Sequence, residues 1–310
     1  MCLRPITLKN DSRKPHNDRA LNTVPCGRCY KCVQKNRTEW AFRLFQESKD
    51  HAYSYFLTLT YSTKNLPFLN LTTGEYPVRL KNNCDILAEE DQIESIVYKK
   101  DVQDFIKNVR RQQEYHTTYS NPIRYYATSE YGTKQTQRPH YHVILYSLHP
   151  DIAKKIELQK IWPYGQAQIK PMDRSVKTYY YVTKYLFKQR NYDIWTFRPF
   201  TLMSTKPFLG NRYLETSKQY HFAKGDLITR FNGRDLVIPR IYADKLPTKL
   251  KENTYEKIKQ LSHEKHQKSL RDTHHENYHP SILNIWKQMT QEQNFNQELN
   301  DFKQLFHEYF

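Results

Sequence analysis

Apolar residues fall in runs along this chain that alternate between helical and strand periods. Between Lys31 and Glu47, Trp40, Phe42, Leu44 and Phe45 give a helix its apolar side. Tyr55–Tyr61, reading YFLTLTY, is a β-branched and aromatic run suited to a buried strand. Residues 62–98 carry Pro, Gly and Asn punctuation and read as an extended insertion, with Cys84 alone inside it. Asp101 can cap a helix in which Val102, Phe105, Ile106 and Val109 recur at helical spacing. Ile123–Tyr131 and Tyr141–Tyr146 read as strands joined by a polar turn at Gly132. Then come an amphipathic helix at Ile152–Trp162, a short strand at Gly165–Ile169 and a helix at Arg174–Gln189.

The order strand, helix, strand, strand, helix, strand, helix predicts an α+β fold. Its first six elements fit a split β-α-β layout, an antiparallel sheet with helices on one face. Beyond residue 190 the pattern changes. Phe231-Asn232-Gly233-Arg234 reads as a hairpin turn, because Asn-Gly readily takes the positive φ angles of a type I′ turn. Residues 250–310, rich in Lys, Glu, Gln and His, read as a solvated helical tail with Trp286, Phe295, Phe302 and Phe306 as docking points. Four regions result: a cysteine-containing segment and helix at 1–50, a core at 51–190, an accessory β region at 191–249 and the tail at 250–310.

Charge narrows the class of partner. Lys and Arg number 49 against 32 Asp and Glu, a formal charge of +17, which favours a polyanion and by default nucleic acid. The 25 tyrosines and 15 phenylalanines, interleaved with cations, suit single strands, whose unpaired bases stack on aromatic rings. A merely soluble basic surface is the plainer alternative. No apolar stretch is long enough to span a membrane, and the polar Met1–Lys14 segment has no secretory apolar core. The five cysteines are odd in number, so a reducing cytoplasm is expected rather than a disulfide framework.

Two motifs carry candidate chemistry. In a strand, residues i and i+2 share a face, so His140 and His142 project together while Tyr141 faces the other way. The preceding strand puts Tyr126, Thr128 and Glu130 on one face, and hairpin pairing brings Glu130 close to His140. Two imidazoles and a carboxylate could hold a divalent ion with positions open to a phosphate oxygen. Two packed or solvated histidines would look the same in sequence. In the second motif, Lys177, Lys184, Tyr185 and Lys188 fall within roughly 60° of Tyr181 on a helical wheel. Tyr179, Val182 and Leu186 lie opposite and can bury. A phenol with a pKa of about 10 is a poor nucleophile until lysines or a metal stabilise its anion. The plainer alternative is an amphipathic helix whose tyrosines edge a sheet.

A third motif, Cys26-Gly-Arg-Cys29-Tyr-Lys-Cys32, sets three thiols at two-residue gaps, with Cys2 available as a fourth. Four thiolates suit a structural Zn²⁺; an iron–sulfur cluster and free buried thiols are the alternatives. Such a module would present Arg28, Lys31, Lys35 and Arg37 to DNA phosphates, with Lys177 and Lys188 adding cations beside the tyrosines.

Taken in order, the motifs resemble a family. Pro25–Cys32, Phe56–Tyr61 (FLTLTY), Ser129-Glu-Tyr-Gly132, Arg138-Pro-His-Tyr-His142 and Tyr181-Val-Thr-Lys-Tyr185 resemble the replication initiators of small single-stranded DNA bacteriophages, the microviruses, and especially the gokushovirus type. Phe200–Ser204, Pro207–Gly210 and Pro239–Leu246 look similar too, so the resemblance covers roughly residues 1–250. These initiators are HUH endonucleases of rolling-circle replication. The resemblance implies His140 and His142 as metal ligands, Glu130 as the third, Tyr181 and Tyr185 as nucleophiles with Lys184 between them, and Mg²⁺ or Mn²⁺ as cofactor. It implies nicking of a single-stranded origin, rejoining of the finished circle, host helicase and polymerase partners, and the cytoplasm of a bacterial host. The tail after residue 250 has no counterpart in the resemblance. An HUH transposase or relaxase is the enzymatic rival, and a zinc-stabilised, non-catalytic single-strand binder the rival from another class.

Overall fold

A computed structural model of the protein describes residues 2–8, 22–27, 29–79, 93–132, 138–186 and 197–272. The chain divides into two compact units, Met1–Leu250 and Lys251–Phe310. In chain order the first unit holds β1 (Ile6–Leu8), β2 (Asn22–Val24), α1 (Tyr30–Ser48), β3 (Ser54–Thr60), β4 (Phe68–Asn70), β5 (Ile93–Ser95) and α2 (Lys99–His116). It continues with β6 (Arg124–Tyr131), β7 (Pro139–Tyr146), α3 (Lys155–Ile161), β8 (Ala167–Pro171), α4 (Val176–Leu186) and β9 (Thr201–Met203). Next come α5 (Arg212–Lys224), β10 (Ile228–Phe231), β11 (Arg234–Val237) and α6 (Arg240–Ala243). A long helix, α7 (Thr248–Asp272), opens at the end of this unit and supplies the described part of the second. The expected docking residues Trp286, Phe295, Phe302 and Phe306 lie outside the described residues, as does Cys84.

The centre is a five-stranded antiparallel sheet in the order β8-β3-β7-β6-β9. Strand alternation sorts its side chains into two faces. One face presents Leu57, Leu59, Ala127, Tyr141, Val143 and Leu145 to Val102, Phe105, Ile106 and Val109 of α2 and Leu158 of α3. The other presents Tyr126, Ile144 and Tyr146 to Leu44 of α1 and to Tyr179 and Val182 of α4. Helices therefore cover both faces, where one was expected. The cause is legible in β7: Val143-Ile144-Leu145-Tyr146 is apolar on both sides, and a strand of that kind needs cover above and below.

Other expectations shift as well. Tyr98, not Asp101, stands at the N-cap of α2. Asp101 lies buried in the first turn, where acidic groups suit the helix dipole, and accepts hydrogen bonds from the Tyr61 hydroxyl and from Arg79 at 2.6 Å. The supposed insertion contains the antiparallel pair β4–β5. The region expected to be an accessory β segment is mixed: β9 completes the main sheet, and α5 and α6 join the β10–β11 hairpin. Asn232 and Gly233 take positive φ angles of 50° and 73° at the tip of that hairpin, as the Asn-Gly signal requires. Phe42 of α1 meets Tyr213, Phe231 and Tyr242 there, with ring centroids 4.9, 5.3 and 6.1 Å away.

Candidate active site

The pairing of β6 with β7 sets Glu130 directly opposite His140 and Thr128 opposite His142. All three candidate metal ligands thus share one sheet face, at the end of the strands beyond the apolar rows. His142 Nε2 stands 3.3 Å and His140 Nε2 3.7 Å from Glu130 Oε2. Glu130 is only 2 % exposed and His142 is buried, while His140 opens to the surface. Burial opposes ionisation of Glu130, but the two imidazoles outweigh it and hold the carboxyl well below its ordinary range.

The neighbours of each ring decide which nitrogen faces Glu130. His140 Nδ1 lies 3.3 Å from the Arg138 carbonyl, which can only accept, so Nδ1 carries the hydrogen and Nε2 keeps its lone pair. His142 Nδ1 lies 3.3 Å from Thr58 Oγ1, and the Phe56 ring stacks on its imidazole at 5.5 Å with an interplanar angle of 11°. The Arg138 guanidinium in turn donates to the Tyr61 carbonyl at 2.9 Å. A ligand histidine whose outer nitrogen is tied in this way has a fixed ring and tautomer. Adjacent ligands of a six-coordinate Mg²⁺ with bonds of about 2.1 Å stand about 3 Å apart, so the donor set and its spacing fit a small divalent cation. Thr58, Phe56 and Arg138 did not figure among the predicted site residues. The alternation of FLTLT carried the signal, since Phe56, Thr58 and Thr60 share the face on which Thr58 pairs with His142.

The tyrosine helix α4 packs on this same face. Tyr179 and Val182 are buried against Tyr126, Ile144 and Tyr146, the apolar rows that continue the line of His142 and His140 along β7. The opposite side of α4 carries Tyr181, 52 % exposed, with exposed Lys177 and Lys184, and Lys184 Nζ sits 5.5 Å from the centre of the Tyr181 ring. Tyr185 lies in the last described turn of α4, and its side chain and Lys188 lie outside the described residues.

The four cysteines come together at the start of α1. Cys2 Sγ is 3.5 Å from Cys26 Sγ and 3.7 Å from Cys29 Sγ, and Cys26 Sγ is 4.0 Å from Cys32 Sγ. These separations exclude a disulfide, whose sulfurs stand about 2.05 Å apart. A tetrahedron of Zn–S bonds of about 2.3 Å has edges of about 3.8 Å, so the cluster has the size of a zinc site. Backbone N–H groups already point at the sulfurs: Cys26 N–H at Cys2 Sγ (3.2 Å), Cys29 N–H at Cys26 Sγ (3.3 Å) and Leu3 N–H at Cys29 Sγ (3.5 Å). Burial works against the Cys29 thiolate, but the Leu3 and Cys32 hydrogen bonds bring that thiol down to about 6.

The cations expected to face DNA divide. Lys31 and Lys35 are exposed, with Lys35 Nζ 3.8 Å from Glu39. Arg28 lies outside the described residues. Arg37 is a correction: it is 7 % exposed and turned inward, where its guanidinium donates to the Tyr180 carbonyl at 2.9 Å and to Thr183 Oγ1 at 3.4 Å. The buried side of α4 offers a carbonyl, a hydroxyl and an aromatic face, and these outcompete solvent for a planar cation.

Residues 54–190 match a family model of replication-associated proteins, the ORF2 type. The chain is 26 % identical over 269 residues to the replication-associated protein VP4 of Bdellovibrio phage phiMH2K, covering 78 % of this chain and 76 % of that one. It is 32 % identical over 141 residues to the replication-associated protein ORF2 of Spiroplasma virus 4, covering 45 % of this chain and 37 % of that one. It is 23 % identical over 184 residues to the replication-associated protein ORF4 of Chlamydia phage 1, covering 54 % and 38 %. These matches bear out the resemblance to phage replication proteins drawn from the motifs. Among the described residues, no helix is long and apolar enough to cross a membrane.

Proposed function

From a chain whose 54–190 segment is that of the ORF2-type replication-associated proteins, we propose a replication initiator of a small single-stranded DNA phage, an HUH-type endonuclease acting in the cytoplasm of its bacterial host. The observation that carries the reading is the shared sheet face. Glu130, His140 and His142 lie at its open end, and α4, with Tyr181 outward, lies on the rows beside them.

In this reading a tyrosine hydroxyl of α4, Tyr181 or Tyr185, attacks the phosphorus of the scissile phosphate. The new bond is a 5′-phosphotyrosine, the bond to the 3′ oxygen breaks, and that oxygen leaves as a free 3′-OH that primes synthesis. The phenolic proton is lost as the bond forms, and Lys184 beside Tyr181 favours the anion. Reversal by the new 3′-OH rejoins the strand, and a second tyrosine allows cutting and joining to alternate. Glu130, His140 and His142 would hold Mg²⁺ or Mn²⁺, which supplies Lewis-acid polarisation of the phosphate. Cys2, Cys26, Cys29 and Cys32 would hold a structural Zn²⁺. Lys31, Lys35, Lys177 and Lys184 supply phosphate contacts, and host helicase and polymerase extend the exposed end.

The test is covalent adduct formation with a single-stranded origin oligonucleotide and Mn²⁺. The double substitution Tyr181→Phe, Tyr185→Phe is expected to abolish the adduct, and its persistence would remove the nucleophile assignment. His140→Ala with His142→Ala is expected to abolish cleavage while leaving most of the salt-sensitive binding. Unchanged cleavage there would remove the metal assignment.

A further inference from the structure

The cysteine cluster and the tyrosine helix are joined by a single piece of secondary structure. Cys29 is the N-cap of α1 and Cys32 lies in its first turn. About one and a half turns further on, Arg37 reaches across to α4. One nitrogen donates to the Tyr180 carbonyl at 2.9 Å and Nε to Thr183 Oγ1 at 3.4 Å, while the guanidinium lies 4.4 Å from the centre of the Tyr180 ring. Thr183 Oγ1 itself donates to the Tyr180 carbonyl at 2.7 Å, so its lone pairs are turned to Arg37. Thr38 adds a contact, its hydroxyl 3.5 Å from the Tyr180 hydroxyl.

We propose that Arg37 is a positioning residue for strand transfer: it fixes the rotation of α4 about its axis, and through α1 it refers that rotation to the cysteine cluster. The proposal rests on the reading that a tyrosine of α4 forms the phosphotyrosine. Tyr180 and Thr183 bracket Tyr181 and lie close before Tyr185, so a two-point grip there sets the direction of both hydroxyls. Tyr179 and Val182 bury α4 by apolar contact, which is non-directional and tolerates rolling. A roll of about 10° carries a hydroxyl held about 8 Å from the helix axis through about 1.4 Å. A misplacement of about 1 Å costs on the order of 100-fold in rate. A planar fork that cannot deprotonate is suited to this task, and a lysine can satisfy only one of the two acceptors at full strength.

The experiment uses the full chain, a single-stranded origin oligonucleotide at saturation and Mn²⁺, with single-turnover adduct formation measured well below the melting temperature. Arg37→Gln is expected to slow the step by about 100-fold, with Arg37→Lys intermediate. Mn²⁺ affinity, oligonucleotide affinity in EDTA and the salt slope of binding should match wild type. A wild-type rate for Arg37→Gln overturns the proposal. So does a wild-type rate at saturation combined with a salt slope reduced by about 1, the mark of a phosphate contact. A defect that disappears on cooling to where the variant is fully folded also overturns it, since Arg37 would then serve stability alone. Should Arg37→Gln fail to fold, Thr183→Val decides: it is expected to be about 10-fold slower, and a wild-type rate overturns the grip. Absence of any adduct from the wild-type protein defeats the tyrosine reading itself, whereas a wild-type adduct with an unaffected Arg37→Gln defeats only this inference.

Discussion

Glu47→Gln tests the anchor that holds the far end of α1. Glu47 is buried, and its carboxylate gathers three elements: Arg124 at the start of β6, His51 at 3.1 Å beyond the helix, and the Gly210 N–H at 2.6 Å in the loop before α5. Gly210 has a φ of 78°, and a Cβ there would fall 2.4 Å from the Tyr242 hydroxyl and 2.7 Å from the Arg43 carbonyl, so the loop approaches as closely as it can. Gln keeps the shape and removes the charge. Arg124 keeps its bond to the Pro207 carbonyl but loses its counter-ion in a largely buried setting. Breaking a buried pair from one side costs about 3–5 kcal/mol. For a unit of this size about 2–4 °C of melting temperature follow each kcal/mol, so the drop is on the order of 6–20 °C. Burial raises the Glu47 carboxyl, but His51, the Gly210 N–H and Arg124 outweigh it and hold it below the ordinary carboxylate value. A depressed carboxyl contributes stability that is fully present above its unfolded pKa of about 4.3 and is lost as pH falls through the folded value. Urea midpoints at pH 7 and below pH 4 should therefore converge, wild type losing its advantage over Glu47→Gln in acid. A variant within about 1 kcal/mol of wild type at pH 7, or two parallel pH profiles, would refute the reasoning.

Thr58→Val removes the group beside His142 Nδ1 and is expected to weaken Mn²⁺ binding by about 10-fold with the fold intact, measured by calorimetry; undiminished affinity would show that Thr58 does not orient the ring. Gly165→Ala places a methyl 2.0 Å from the Thr60 carbonyl and 2.6 Å from the Ser62 nitrogen. It should lower the urea stability by roughly 2–3 kcal/mol, because backbone rather than a flexible side chain stands in the way. Purified protein should carry about one zinc per chain by elemental analysis, lost in Cys26→Ser with Cys29→Ser; unchanged zinc content in that variant would move the ion elsewhere.

The sheet and the triad were legible because both rest on a period of two. FLTLT, Thr128-Ser-Glu130 and His140-Tyr-His142 alternate strictly, and a hairpin between the last two can only bring Glu130 toward His140. The helical wheel likewise placed Tyr179 and Val182 inward and Tyr181 outward. Arg37 escaped because composition treats every arginine near a basic cluster as a surface cation. What turned it inward is the Tyr180 carbonyl and Thr183 hydroxyl, more than 140 residues away in sequence. The helices on the second face escaped for a related reason. An apolar run such as Val143–Tyr146 announces that both sides of a strand are buried, but not which elements bury them. Asp101 was misassigned as a cap because its partners, Tyr61 and Arg79, come from other parts of the chain.

β7 serves two masters on a single face: Tyr146 and Ile144 belong to the packed interior, and His142 and His140, the next two positions in the same row, belong to the triad. A slip of one residue in its pairing would turn both imidazoles into the opposite core and bring Tyr141 to the front. Such a chain would lose hydrophobic burial and chemistry together. Assembly of the site is therefore all-or-none with assembly of the sheet: a misregistered molecule has no weakened triad that could cut DNA at the wrong place, and the fold itself acts as the proofreader of its own nuclease.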